Sequence, residues 1–125
     1  MRSDLQGYVS FETALSAHGV LDDHVHAIRI ATAGSDRKLV VPGIGLCEWI
    51  SMPDELLWGD ASGSQLDFPG WRVASPEKAL VDLLWLCESR GFAVPIDSLR
   101  LEDLDRGRLE QFAELMQVEL DRLYR

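Results

Sequence analysis

One stretch of this sequence limits its folding more than any other. From Ala79 to Cys87 the chain reads Ala79-Leu80-Val81-Asp82-Leu83-Leu84-Trp85-Leu86-Cys87, apolar at every position but one. Ser75 before it has the side chain of a helix N-cap. Pro76 fits the first helical position, where a missing N–H costs nothing, and Glu77 suits the positive end of the helix dipole. Gly91 supplies the stop. The segment therefore predicts a helix that is apolar around most of its circumference, which belongs in the middle of a domain or partly in a partner interface. Asp82 interrupts that surface, and a carboxylate there needs a partner. Lys78, one turn earlier, is the nearest candidate.

A central helix needs a layer to cover it, and residues 27 to 74 supply one. Ile28, Ile30 and Thr32 alternate with Arg29 and Ala31, as on a half-buried strand. Gly34-Ser35-Asp36 reads as a turn, Arg37 to Val41 as a strand, and Pro42-Gly43 as the next break. Leu46 to Ser51 follows as a strand with Cys47 and Trp49 on one face and Glu48 and Ile50 on the other. Asp60 to Gly63 reads as a loop, and Leu66 with Phe68 and Trp71 to Ala74 as further strands around Pro69-Gly70. The expected architecture is a single α+β domain over residues 1–125, with a largely antiparallel sheet of four to six strands packed on the central helix and a C-terminal helix.

Two more helices flank this body. Ser10 reads as an N-cap, with Phe11, Ala14, Leu15 and His18 on one face and Gly19 as the stop. His18 is expected to pack near the helix end. The last helix is expected to start near Asp105 and to carry Leu109, Phe112, Ala113, Met116, Leu120 and Leu123 as an apolar stripe, widened by Leu115 and Val118.

At 125 residues the chain fits one core and would make two poor ones. The N-terminus lacks the apolar core of a signal peptide, and no apolar run is long enough to span a bilayer, so a cytoplasmic protein is expected. Cys47 and Cys87 suit buried free thiols, although two thiols can also form one disulfide or half a metal site. Charge is more decisive. Twelve Lys and Arg stand against 21 Asp and Glu, a formal net charge of −9. Long-range repulsion from phosphate backbones follows, so nucleic-acid binding by the chain alone is expected to be weak or absent.

No sequence signature of catalysis stands out. The chain has no P-loop, no Gly-x-Gly-x-x-Gly, no His-Glu-x-x-His and no Gly-x-Ser-x-Gly. Ser75 and Lys78 are three residues apart, but capping explains that serine. His24 and His26 would share a strand face and lack a third ligand. The acidic clusters at 22–23, 54–55 and 102–105 read as loop and helix-start charge. No catalytic residue, metal or cofactor is expected.

Two blocks carry a resemblance. Gly7-Tyr8-Val9-Ser10-Phe11-Glu12-Thr13-Ala14-Leu15-Ser16-Ala17-His18-Gly19 resembles the stretch that opens the C-terminal domain of AbiEi antitoxins, the antitoxins of type IV abortive-infection systems. Val73-Ala74-Ser75-Pro76-Glu77-Lys78-Ala79-Leu80-Val81-Asp82-Leu83-Leu84 is similar to that family's second hallmark. Ile28 to Thr32, Trp58-Gly59 and Gly70-Trp71 match the family in kind and position, so the resemblance spans nearly the whole chain. It implies an antitoxin paired with a nucleotidyltransferase-like toxin. It also implies a winged helix-turn-helix ahead of the antitoxic domain, for which the six residues before the first block are too few.

The expectation is therefore a non-enzymatic antitoxin or regulatory domain that acts by binding the toxin or its target. Arg29, Arg37, Lys38, Arg72 and Lys78 are the expected contact residues. Two alternatives of other classes stand beside it. One is a transcriptional-regulator fragment that binds DNA or a DNA-binding partner; the other is a small hydrolase or nuclease using carboxylates.

Overall fold

A computed structural model describes residues 7–22, 27–57, 61–62, 72–121 and 123. The elements in chain order are β1 (Tyr8–Val9), α1 (Phe11–Ala17), β2 (Ile28–Thr32), β3 (Arg37–Val41), β4 (Gly45–Ser51), β5 (Ala61–Ser62), β6 (Val73–Ala74), α2 (Pro76–Arg90) and α3 (Arg106–Met116). The strands form one mixed sheet in the order β3-β4-β2-β1-β6-β5. Pairing is antiparallel for β1–β2, β3–β4 and β5–β6, and parallel for β2–β4 and β1–β6. The α+β domain expected from sequence is what the chain forms.

Helix α2 is central, as its composition requires. Ten of its residues from Glu77 to Cys87 are buried, and it packs against α1, α3 and the sheet. Ser75 caps it, accepting the backbone N–H of Lys78 at 3.2 Å, and Gly91 ends it in the left-handed region. Glu77 does more than meet its own helix dipole. Its buried carboxylate accepts the Asp105 N–H at 3.0 Å, so the start of α2 also anchors the entry to α3.

The β3–β4 hairpin turns through Pro42-Gly43. The Ile44 N–H reaches the Val41 carbonyl at 3.0 Å, and Gly43 takes φ +80°, the pairing of Pro and Gly that a type II turn prefers. Cys47 faces Leu39 and Trp49 faces Arg37 across it. Both cysteines are buried and free.

Three expectations need correcting, and one strand had no reading. Tyr8 and Val9 form a strand that alternation could not reveal, because two residues have no period. Ser10 stands at the N-cap position but makes no cap hydrogen bond; its hydroxyl is drawn to Asp82 instead. Phe11 accordingly enters α1 at φ +57°, a left-handed backbone that costs a bulky residue about 1–2 kcal/mol, with its ring fully buried. Helix α3 ends at Met116, because Gln117 adopts φ +57° and closes it; Leu120 and Leu123 pack from beyond the helix, and Leu115 stays exposed. Ala61 and Ser62, read as loop, pair with β6. The expectations for His24, His26, Trp58-Gly59, Leu66, Phe68, Pro69-Gly70 and Trp71 fall outside the described residues.

Candidate functional site

Two polar sites stand out, one sealed and one open. The sealed site begins with the helical spacing of Lys78 and Asp82, which puts both side chains on the same face of α2, toward β1. Both are 0% exposed. The Lys78 ammonium touches Asp82 Oδ1, donates to Tyr8 Oη at 2.9 Å and to the Leu56 carbonyl at 2.9 Å, and lies 3.5 Å from Met116 Sδ. Asp82 Oδ2 accepts from the Tyr8 hydroxyl at 2.8 Å and from Ser10 Oγ at 2.6 Å. Tyr8 thus accepts from the lysine and donates to the carboxylate, closing a ring of hydrogen bonds among β1, the residue after it, and α2.

Burial sets the electrostatics here. It pushes the Asp82 carboxyl above the usual carboxylate range, while Lys78 and the Ser10 and Tyr8 hydroxyls pull the other way. It also raises the Tyr8 phenol far above its ordinary value, and the Asp82 charge adds to that rise. No buried side-chain nitrogen or oxygen among the described residues lacks a hydrogen-bond partner. Lysine, tyrosine, serine and aspartate are catalytic ingredients elsewhere, but these donors and acceptors are spent on one another and on the Leu56 backbone. What the cluster does chemically is tie β1 to α2.

The open site is a cleft of about 480 Å³, within the size range of ligand pockets. Gly7, Tyr8, Thr32 to Ser35, Arg37, Trp49, Leu57 and Arg72 line it. Gly7 is required there: at φ +133°, an added Cβ would meet the Ala31 carbonyl oxygen at 2.1 Å. Arg37 lies over the Trp49 ring, 4.5 Å from its centroid, which fixes the height of the guanidinium at the rim. The Thr32 hydroxyl accepts the Gly34 N–H at 3.1 Å and shapes the turn beside it. A second hollow of about 240 Å³ adjoins, sharing Arg37 and Trp49 and adding Arg29, Lys38 and Arg90 together with the carboxylates of Asp36 and Glu48.

The expected contact residues divide accordingly. Arg37 and Arg72 share the cleft, and Arg37, Lys38 and Arg29 share the second hollow. Arg29 is largely committed within the chain, to Glu12 at 3.0 and 3.1 Å and toward Glu48 at 4.0 Å. Lys78 must be removed from the contact surface altogether. A side chain with no exposed area meets no partner, and its charge is already paired. The pairing with Asp82 was legible from spacing; the hydroxyls of Tyr8 and Ser10, more than seventy residues away in sequence, were not. His18 packs at its helix end with Nε2 2.8 Å from the Ala74 carbonyl.

Residues 7–19 and 73–84 meet in this structure. Val9 pairs with Val73, Tyr8 and Ser10 bond Asp82, and His18 reaches Ala74. No family model, curated protein or solved structure matches the chain. Among the described residues no helix is long and apolar enough to cross a membrane, and no cluster of His, Cys, Asp or Glu has metal-site geometry.

Proposed function

We propose that this chain is a non-enzymatic antitoxin or regulatory domain that works by binding, and that it counteracts a nucleotidyltransferase-like toxin as the AbiEi resemblance implies. One observation carries the binding part of this reading. In a chain of net charge −9, the described lining of the open cleft holds two arginines and no carboxylate. Such a recess concentrates positive potential and favours an acidic contact over a basic one. The closed state of the Lys78–Asp82 cluster agrees with a role in holding the domain together.

The test is co-expression with any nucleotidyltransferase-like toxin whose gene adjoins this one, with the amount of folded antitoxin measured in parallel. Wild type is expected to restore growth. Arg37→Glu with Arg72→Glu is expected to weaken protection at least tenfold at unchanged folded level. Full protection by that double variant would overturn the cleft as the contact, and no protection by wild type would overturn the antitoxin reading. In a parallel gel-shift assay the chain alone should leave its own promoter DNA unshifted at micromolar concentration; tight, salt-sensitive binding would favour a DNA-binding regulator.

A further inference from the structure

The β3–β4 hairpin carries a second feature beyond the cleft, with which it shares Arg37. Strand β3 lies at one end of the sheet order and pairs only with β4 among the described strands. Its first four residues are exposed, and the fifth is half-buried. Val40 is 70% exposed, Leu39 50% and Ile44, at the turn, 48%. These are three of the six large exposed hydrophobics found among the described residues, gathered within six consecutive positions. Isolated surface apolar residues need no explanation, but an apolar strand edge is a template for another strand.

We propose that the edge of β3 that no described strand covers is a strand-docking site that takes an extended segment from an acidic partner. Arg37, Leu39 and Val41 point to one face of the sheet, and Lys38 and Val40 to the other. Either face therefore presents a cation near the start of the strand and an aliphatic group beyond it. An incoming strand running antiparallel would place aliphatic residues against Leu39 and Val40 and carboxylates against Lys38 and Arg37. Opposite charges directly across a pair stabilise it, and backbone hydrogen bonds supply affinity that does not depend on sequence.

Area argues against a second copy of the chain, and the cations of the edge select an acidic strand. A five-residue edge buries far less than the roughly 800 Å² per partner of a stable protein interface. Lys38 and Arg37 on the edge discourage pairing with a basic strand and favour an acidic one, so the same charges serve solubility and selectivity. The proposal deepens the binding reading given above. It rests on that reading only for the partner being a toxin.

The probe is an acetylated, amidated peptide of threonine, three valines, two glutamates and threonine, titrated into the ¹⁵N-labelled chain and followed by NMR. Amide shifts along residues 37–41 are expected. Exchanging the two glutamates for lysines should weaken binding at least tenfold, as should Val40→Glu in the chain. N-methylation of alternate peptide amides should abolish it while leaving the side chains unchanged. Undiminished binding of the N-methylated peptide, shifts confined to the Arg37–Arg72 cleft, or no binding of the parent peptide would overturn the proposal. So would sedimentation showing that the chain alone dimerises through β3. The two readings fail separately. Peptide docking on β3 by a chain that gives no protection sinks the antitoxin reading alone; protection without docking sinks the strand-edge proposal alone.

Discussion

Lys78 and Lys38 are the same side chain in two solvents. Lys78 sits where α2 meets β1, sealed from water and held by Asp82, Tyr8 and the Leu56 carbonyl. Lys38 stands on the outermost strand, exposed and opposite Glu48. Around the first, each polar group has a named partner and the removal of any one strands the others. Around the second, water substitutes for any partner that is lost. The difference separates what the domain needs in order to exist from what it can offer to another molecule.

Asp82→Ala leaves a buried ammonium without its counter-ion and should cost about 3–5 kcal/mol, read from urea unfolding. Lys78→Met combined with Asp82→Leu should cost clearly less than the two single changes summed, because the charges leave together. Additive losses would mean that the pair is not coupled.

Ser10→Ala comes next. It removes a hydroxyl donor from a buried carboxylate, and about 2 kcal/mol should be lost. A change near zero would show that Ser10 merely sits beside Asp82.

Tyr8 sharpens the comparison through pH. Its phenol keeps the proton in the folded state well above the ordinary value of about 10 at which the unfolded chain releases it. Its contribution to stability is therefore complete below that value and falls as pH rises beyond it, by up to about 1.4 kcal/mol per pH unit. The alkaline limb of a stability–pH curve should be shallower for Tyr8→Phe than for wild type. Parallel limbs would place the phenol in contact with water.

Ser75→Ala, which removes a working helix cap, should cost about 1 kcal/mol, less than the change at Ser10. The reverse order would mean that the Ser75 cap is worth more than the buried hydrogen bond from Ser10 to Asp82. Val40→Thr, on the open hairpin, should change stability by less than about 0.5 kcal/mol. A larger loss there would mean that the β3 edge is covered in the free protein.

Local chemistry made the helices and the hairpin readable. The caps and stop of α2, its continuous apolar surface, the alternation in β2 and β4, and the Pro42-Gly43 turn all act within a few residues of the signal they send. Strand β1 and the end of α3 send no such signal. Tyr8-Val9 is too short to show a period, and the apolar stripe of α3 runs on through Leu120 and Leu123 although Gln117 has already turned the backbone. The sealed cluster was half legible. Position i to i+4 announces Lys78 and Asp82, whereas Tyr8 and Ser10 join them through tertiary folding alone. The cleft was least legible, since Gly7, Thr32, Trp49, Leu57 and Arg72 converge only once the sheet order is fixed.

That sheet order also sets a timetable. Strand β1 comes before every other described element in chain order, yet one of its two neighbours, β6, lies some sixty residues downstream, with Val9 opposite Val73. The β3–β4 hairpin closes over a short loop and can form within microseconds of synthesis. β1 must remain half-paired until the stretch beginning at Val73 emerges, carrying the aspartate and lysine that Tyr8 will bind. The most tightly sealed part of the finished domain thus closes after the hairpin, and substitutions at Tyr8, Ser10 or Asp82 will show chiefly as faster unfolding, with little change in the speed of folding.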